Sequence, residues 1–219
     1  MIAIRSLMYA LPVILLANAG AAAETSEAAA LAVLASKEGV HEKARACQQL
    51  AVVGTPAAIP ALAALLDQEP LADYARSGLE AITDPAAGAA LRAALPRLEG
   101  RLLAGVVNSL GVRRDTAAVP ALQSLALDPK RGVATEALAS LGMIGTTAAA
   151  GTIRSVLTKG PAELRTPAAH AALAAAAHLA KAGNAAAACG LLDKVVSTLP
   201  PGQLATTAQR QSAALRPTQ

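Results

Sequence analysis

Phenylalanine and tryptophan are absent from the 219 residues, and two tyrosines are the whole aromatic complement. With so few aromatic rings there is no platform for stacking nucleic-acid bases. The large anchors that dominate most protein interfaces are missing too. Cysteine occurs only at Cys47 and Cys189, in neither a CxxC nor a CxxCH pattern, so thiol-redox chemistry and covalent haem have no support. Of three histidines, His170 and His178 share one predicted helix, about 12 Å apart along its axis. Metal-binding pairs on a helix need a spacing of three or four, and His41 stands far away in the chain. No metal and no cofactor are therefore expected. No GxSxG or other nucleophile motif occurs, so no catalytic residue is assigned and no enzyme is expected. Charge is also scarce, 16% of residues with a formal net of +4. That is weak for tracking phosphates, and no nucleic-acid partner is expected.

What is present is alanine, leucine and a period. The stretch LAVVGTPAAIPAL begins at Leu50 and returns from Leu79, Leu110, Leu141 and Leu179. The steps between those leucines are 29, 31, 31 and 38 residues, and such a self-match marks a stacked array. Each copy closes an apolar-periodic run, with Ala46, Leu50 and Val53 in the first and Ala75, Leu79 and Ile82 in the second. A turn follows: Gly54-Thr55-Pro56, Thr83-Asp84-Pro85, Arg113 to Thr116, Gly145-Thr146-Thr147, Gly183-Asn184. Glycine there suits a left-handed helix end, and Thr, Asp and Asn cap the next helix. A second helix then carries Ile59, Leu62 and Leu66, or Val119, Leu122 and Leu125. The unit is a helical hairpin of about thirty residues. Its small side chains allow helix axes to approach at the short end of the usual range.

Leu141-Gly142-Met143-Ile144-Gly145 and the AAxPAL strings at Ala57–Leu62 and Ala117–Leu122 resemble the short HEAT-like repeats of the phycobilisome-lyase type. The resemblance covers about Val40 to Val196. It implies an all-α fold, a right-handed α-α superhelix (HEAT-like solenoid) of about five hairpins. Such repeats serve as scaffolds, inhibitors and lyases alike. One departure concerns the Asp/Arg ladders of longer HEAT repeats. The corresponding row reads Ala63, Arg92, Gln123, Arg154, Leu192, which makes no continuous ladder.

In chain order, residues 1–23 have the layout of a cleaved signal peptide: Arg5, an apolar run from Leu7 to Ala19, and Ala21-Ala22-Ala23 before Glu24. That run is short of the ~20 residues of a spanning helix. The expected place is periplasmic or secreted, with no stable membrane association after cleavage. Residues 24–39 should form an N-terminal capping helix, with Thr25 or Ser26 as cap and Ala28, Leu31, Leu34 and Ala35 as its apolar face. Residues 40–199 hold repeats one to five. The linker Thr158-Lys159-Gly160-Pro161 opens an insertion that accounts for the longer last step, before a fifth first helix from Pro167 to Ala182. Residues 200–219 are a partial sixth repeat or a C-terminal cap, and Arg216 to Gln219 should fray. One domain is the expectation for this length.

A five-step array separates Cys47 from Cys189 by about 35 Å at 8–10 Å per step, too far for a disulfide. Two free, buried thiols are expected. Tyr74 has Gly78 four residues on, giving its ring room to lie across the helix. Arg113 and Arg114 should lie on the opposite edge from Lys130 and Arg131, so the four form no single basic patch. Solenoids bind partners along an extended face. On the second helices that face offers Arg92, Gln123 and Arg154 for an unidentified protein partner. The leading expectation is a non-enzymatic scaffold for protein–protein interaction. The alternative is a lyase-like or chaperone-like accessory, in which Cys47 would take part as a thiol.

Overall fold

The computed structural model describes residues 26–216, and their regular structure is all helical, with no strand among the described residues. The signal-peptide reading of residues 1–23, Thr25 as a cap, and fraying at 217–219 lie outside the described residues. The described residues fall into two compact units, divided between Ala87 and Gly88. Gly88 takes the place held by Ile59, Val119, Ala150 and Ala188 in the other copies.

In the first unit, α1 (residues 26–35) precedes α2 (Val40–Val53), α3 (Ile59–Ala63) and α4 (Glu69–Ala81). Both α2 and α3 pack on α4. Glu27 is buried, and its carboxylate accepts from the Thr55 backbone N–H at 2.6 Å and from the Thr55 hydroxyl at 2.9 Å. This grip sets the rotation of α1. The buried face is Glu27, Ala30 and Leu34, whereas Ala28 and Ala35 are exposed and Leu31 is half-buried. The expected face is thus right only at Leu34. The second helix of repeat one is shorter than its apolar pattern suggests. Pro60 has no N–H to return to the carbonyl four residues back, and the segment starts as a 3-10 turn (Pro56–Ala58), as the segment holding Pro120 does at Thr116–Ala118. The five α-helical residues of α3 end at Ala63, after which Ala64 to Asp67 form turns. Gly78 gives its space to Leu62, whose side chain fills it, and Tyr74 is exposed. The expected tyrosine–glycine contact is not what α4 makes.

The second unit begins within α5 (Pro85–Ala94) and continues through α6 (Gly100–Val112), α7 (Val119–Leu127), α8 (Ala134–Ile144), α9 (Thr147–Lys159), α10 (Arg165–Lys181), α11 (Ala185–Thr198) and α12 (Gln203–Leu215). Helices α6, α8 and α10 pack in one row, and α7, α9 and α11 in a second. Small residues bring the first row close. A Cβ on Gly111 would stand 2.8 Å from Ser140 Cα, and one on Gly142 would stand 2.9 Å from Ala171 Cα. These two contacts link residues at the same sequence offset, so α6 meets α8 as α8 meets α10. The Ser140 hydroxyl closes the first contact by donating to Val107 O at 2.9 Å.

Two leucine positions run through every copy. Leu50, Leu79, Leu110, Leu141 and Leu179 open the motif; Leu62, Leu91, Leu122, Ile153 and Leu191 close it. All ten are no more than 3% exposed. Each such burial contributes about 1.5–3 kcal/mol, which is how a core without phenylalanine or tryptophan is held. The extra residues of the last step go mostly into helix. Whereas α8 has 11 residues, α10 has 17 and starts at Arg165. The expected insertion is a short linker with a 3-10 turn (Ala162–Leu164), and α10 starts two residues before the expected Pro167.

The last helix, α12, lies mainly on α11 and touches α10 only slightly, so it departs from the α6–α8–α10 row. Ala205, Ala208 and Ser212 are buried, and Gln209 and Arg210 face solvent. Asp193 on α11 holds it, accepting from the Ser212 hydroxyl at 2.8 Å and from Arg216 Nη2 at 2.7 Å. Arg216, expected to fray, is thus tied down.

Candidate functional site

The hairpin turns repeat one cap. Its side-chain oxygen accepts a backbone N–H of the next helix at Thr55 (from Ala57, 3.2 Å), Asp84 (Ala86, 2.8 Å), Asp115 (Ala117, 3.0 Å), Thr146 (Ala149, 3.2 Å) and Asn184 (Ala187, 3.2 Å). The residue before the cap differs. Arg114, Gly145 and Gly183 are left-handed, with φ of +52°, +64° and +81°. Gly54 has φ −65° and is extended, so the first glycine does not play the expected part. Its amide still bonds Leu50 O at 2.9 Å, and an extended exit satisfies that carbonyl as well.

Arg114 is the one non-glycine residue with positive φ among the described residues. An L side chain there is strained by about 1–2 kcal/mol. Its guanidinium reaches the next turn, donating from Nη2 to Ile144 O at 3.2 Å. His178 of α10 lies against the same turn, so close to Gly145 that a Cβ there would overlap it. Burial first, then the charges of Arg114 and Lys181, hold its imidazole below the ordinary value of 6.5. Asn184 Nδ2 donates to the Thr147 hydroxyl at 3.4 Å. Arg114, Thr116, Thr147, His178 and Asn184 together line an open cavity of about 550 Å³.

The residues expected to meet a partner are placed unequally. Arg92 forms an ion pair with Asp115, whose side chain is 10% exposed. Gly88 leaves the space into which that carboxylate fits. The pair is a single Asp/Arg rung, and it commits Arg92 inside the protein. Gln123 and Arg154 are exposed on α7 and α9. Arg131, expected at a turn edge, points inward and donates from Nη2 to Leu95 O at 3.0 Å and Leu98 O at 2.9 Å. It closes the carbonyl end of the segment after α5. Three of the arginines behind the basic charge are therefore used to join neighbouring repeats.

An apolar groove of about 430 Å³ runs between α8 and α10, lined by Ala139, Met143, Pro167 and Ala171 among others. Sequence reasoning looked for a binding face on the second helices and did not single out this groove. The available signal was α10 itself, whose alanines leave it without a continuous polar outer stripe.

Both cysteines are free. Cys47 is fully buried, and burial pushes its thiol up to about 11. Cys189, expected to be buried, is half-buried, with its thiol donating to Ser212 O at 3.7 Å. Its thiol faces the terminal helix α12, at Ser212. Among the described residues no cluster of three or more His, Cys, Asp or Glu could hold a metal ion. No described helix is long and apolar enough to cross a membrane. No protein-family model matches the chain, and no curated protein does.

Proposed function

We infer that the chain is a non-enzymatic protein–protein interaction module. In this reading it is a HEAT-like α-solenoid, a right-handed superhelix of about five hairpins, exported to the periplasm or beyond. The observation that supports it best is the recurrence of one contact set. The same two leucine rows are buried in every copy, the same turn position caps the next helix five times, and the α6–α8 glycine contact recurs at α8–α10. A chain built by repeating one unit lengthens its surface along with its core, and such surfaces serve extended partners.

The lyase-like alternative needs a reactive thiol. Cys47 is buried and its thiolate is disfavoured, the opposite of a catalytic cysteine's surroundings. For the partner surface, Gln123 and Arg154 are the free positions, and Arg92 belongs to the internal rung. The test is a pull-down from the periplasmic or extracellular fraction with the wild-type chain and with Gln123→Glu/Arg154→Glu. Loss of captured partners from the variant supports this surface, and equal capture excludes it. Arg92 stays unchanged, because altering it would disturb the Asp115 turn.

A further inference from the structure

The turn-edge cavity holds two polar side chains with unused capacity. Arg114 donates one hydrogen bond, to Ile144 O, and a guanidinium has five N–H donors. The His178 imidazole makes no hydrogen bond among the described residues and is half-buried against Gly145. The Thr147 hydroxyl already accepts from Asn184, so its own proton is free to be donated, and Thr116 adds a second hydroxyl on the same wall. No carboxylate lines the cavity. The nearest in sequence, Asp115, is turned to Arg92 and to the Ala117 N–H. Lys181 adds positive charge from the end of α10.

Position sharpens the case. Two sister turns, at Gly145 and Gly183, put glycine in the left-handed backbone that Arg114 adopts, and glycine is the residue that backbone favours. An arginine held there against that preference lines a cavity of about 550 Å³. The lining adds an imidazole and threonine hydroxyls able to donate, with no anion among its side chains.

We propose that this cavity is an oxyanion site, in which Arg114, His178 and the Thr116 and Thr147 hydroxyls hold a carboxylate or phosphate group. A planar or tetrahedral oxyanion matches a guanidinium through paired N–H···O bonds. The group can come from free phosphate or from an acidic side chain of a protein partner. The second source rests on the reading of the chain as an interaction module; the first does not. An anion bound here would offset the field of Arg114 and Lys181 and raise the imidazole toward its protonated form.

The experiment follows the His178 imidazole by NMR, identified by its loss in His178→Asn. The full chain is titrated with inorganic phosphate, and separately with a tetraglutamate peptide, against sodium chloride at equal ionic strength. The site predicts a saturable rise in the His178 pKa with at least one probe and none with chloride. A response to phosphate alone assigns a free oxyanion; a response to the peptide assigns an acidic partner segment. Arg114→Gly should abolish the response while keeping the helical signal, since glycine accepts the left-handed backbone. Arg114→Asn, whose amide also tolerates that backbone, should do the same. No saturable shift with either probe, or a shift that survives both Arg114 variants, overturns the site. Such a failure leaves the Gln123/Arg154 surface untouched, because that surface is tested separately.

Discussion

A thiol reacts as its thiolate, so the position of a cysteine decides its chemistry more than its presence does. Cys47 is wholly enclosed with its thiol pushed up to about 11, and Cys189 is partly open beneath α12. A thiol reagent at pH 8 should therefore label Cys189 in the native protein and reach Cys47 only on unfolding. Rapid native labelling of Cys47 would revive the lyase reading. His178 gives a second prediction with a definite sign. Its folded form is held below the unfolded 6.5 by burial, Arg114 and Lys181. Above that value its protonation does not matter. As pH falls below it, the unfolded chain takes up the proton more readily, and stability drops. Urea midpoints at pH 8 and pH 5 should differ more in wild type than in His178→Asn. At this scale the sequence was legible where one residue's role is local. The caps at Thr55, Asp84, Asp115, Thr146 and Asn184 could be read from residue type and turn position. Long-range partners could not. Nothing near Arg92 in sequence announces Asp115, and nothing near Arg131 announces the carbonyls of Leu95 and Leu98.

Among the helices, glycine has two opposite meanings, and the structure separates them. Gly142 lets α8 meet α10 backbone to backbone, with no room for a Cβ beside Ala171. Gly151, within α9, has nothing within 4 Å of where a Cβ would sit. Gly142→Ala should cost about 1–3 kcal/mol through overpacking. Gly151→Ala should stabilise by roughly 0.5–1 kcal/mol through helix propensity and the unfolded chain's lost freedom. Thermal or urea unfolding of the two variants checks both signs. A second prediction concerns α12, which Asp193 ties through Ser212 and Arg216. Asp193→Ala should speed hydrogen exchange across Gln203–Leu215 and leave α6 and α8 unchanged. Helix existence was readable from the leucine period. Helix length was readable at α10, expected over Pro167 to Ala182 and found over Arg165–Lys181. It was not readable at α3, which stops at Ala63 with turns over Ala64 to Asp67 although α7, with a proline at the same place, runs to Leu127. The rotation of α1 was misread because a buried glutamate, not an alanine face, turns it inward.

For the whole molecule, the all-helical architecture was visible in the repeat, since the unit that recurs is an apolar hairpin unable to bury its own stripe. The division at Gly88 was not legible, because a period reports similarity between copies and not where a compact unit ends. The function is the least legible layer, as the surface carries few aromatic anchors and Arg92, Arg114 and Arg131 are used internally. The claim on which the rest depends is that the hairpins stack in sequence order. Val112 and Lys181 hold the same place in the third and fifth copies, both in the second unit, and both are exposed. Spin labels at Val112→Cys and Lys181→Cys, in a Cys189→Ala background, measure the span between them. The proposed stack predicts a single separation of about 18 Å, two steps of 8–10 Å. A separation of about 10 Å or less, as copies three and five in direct contact would give, would contradict it.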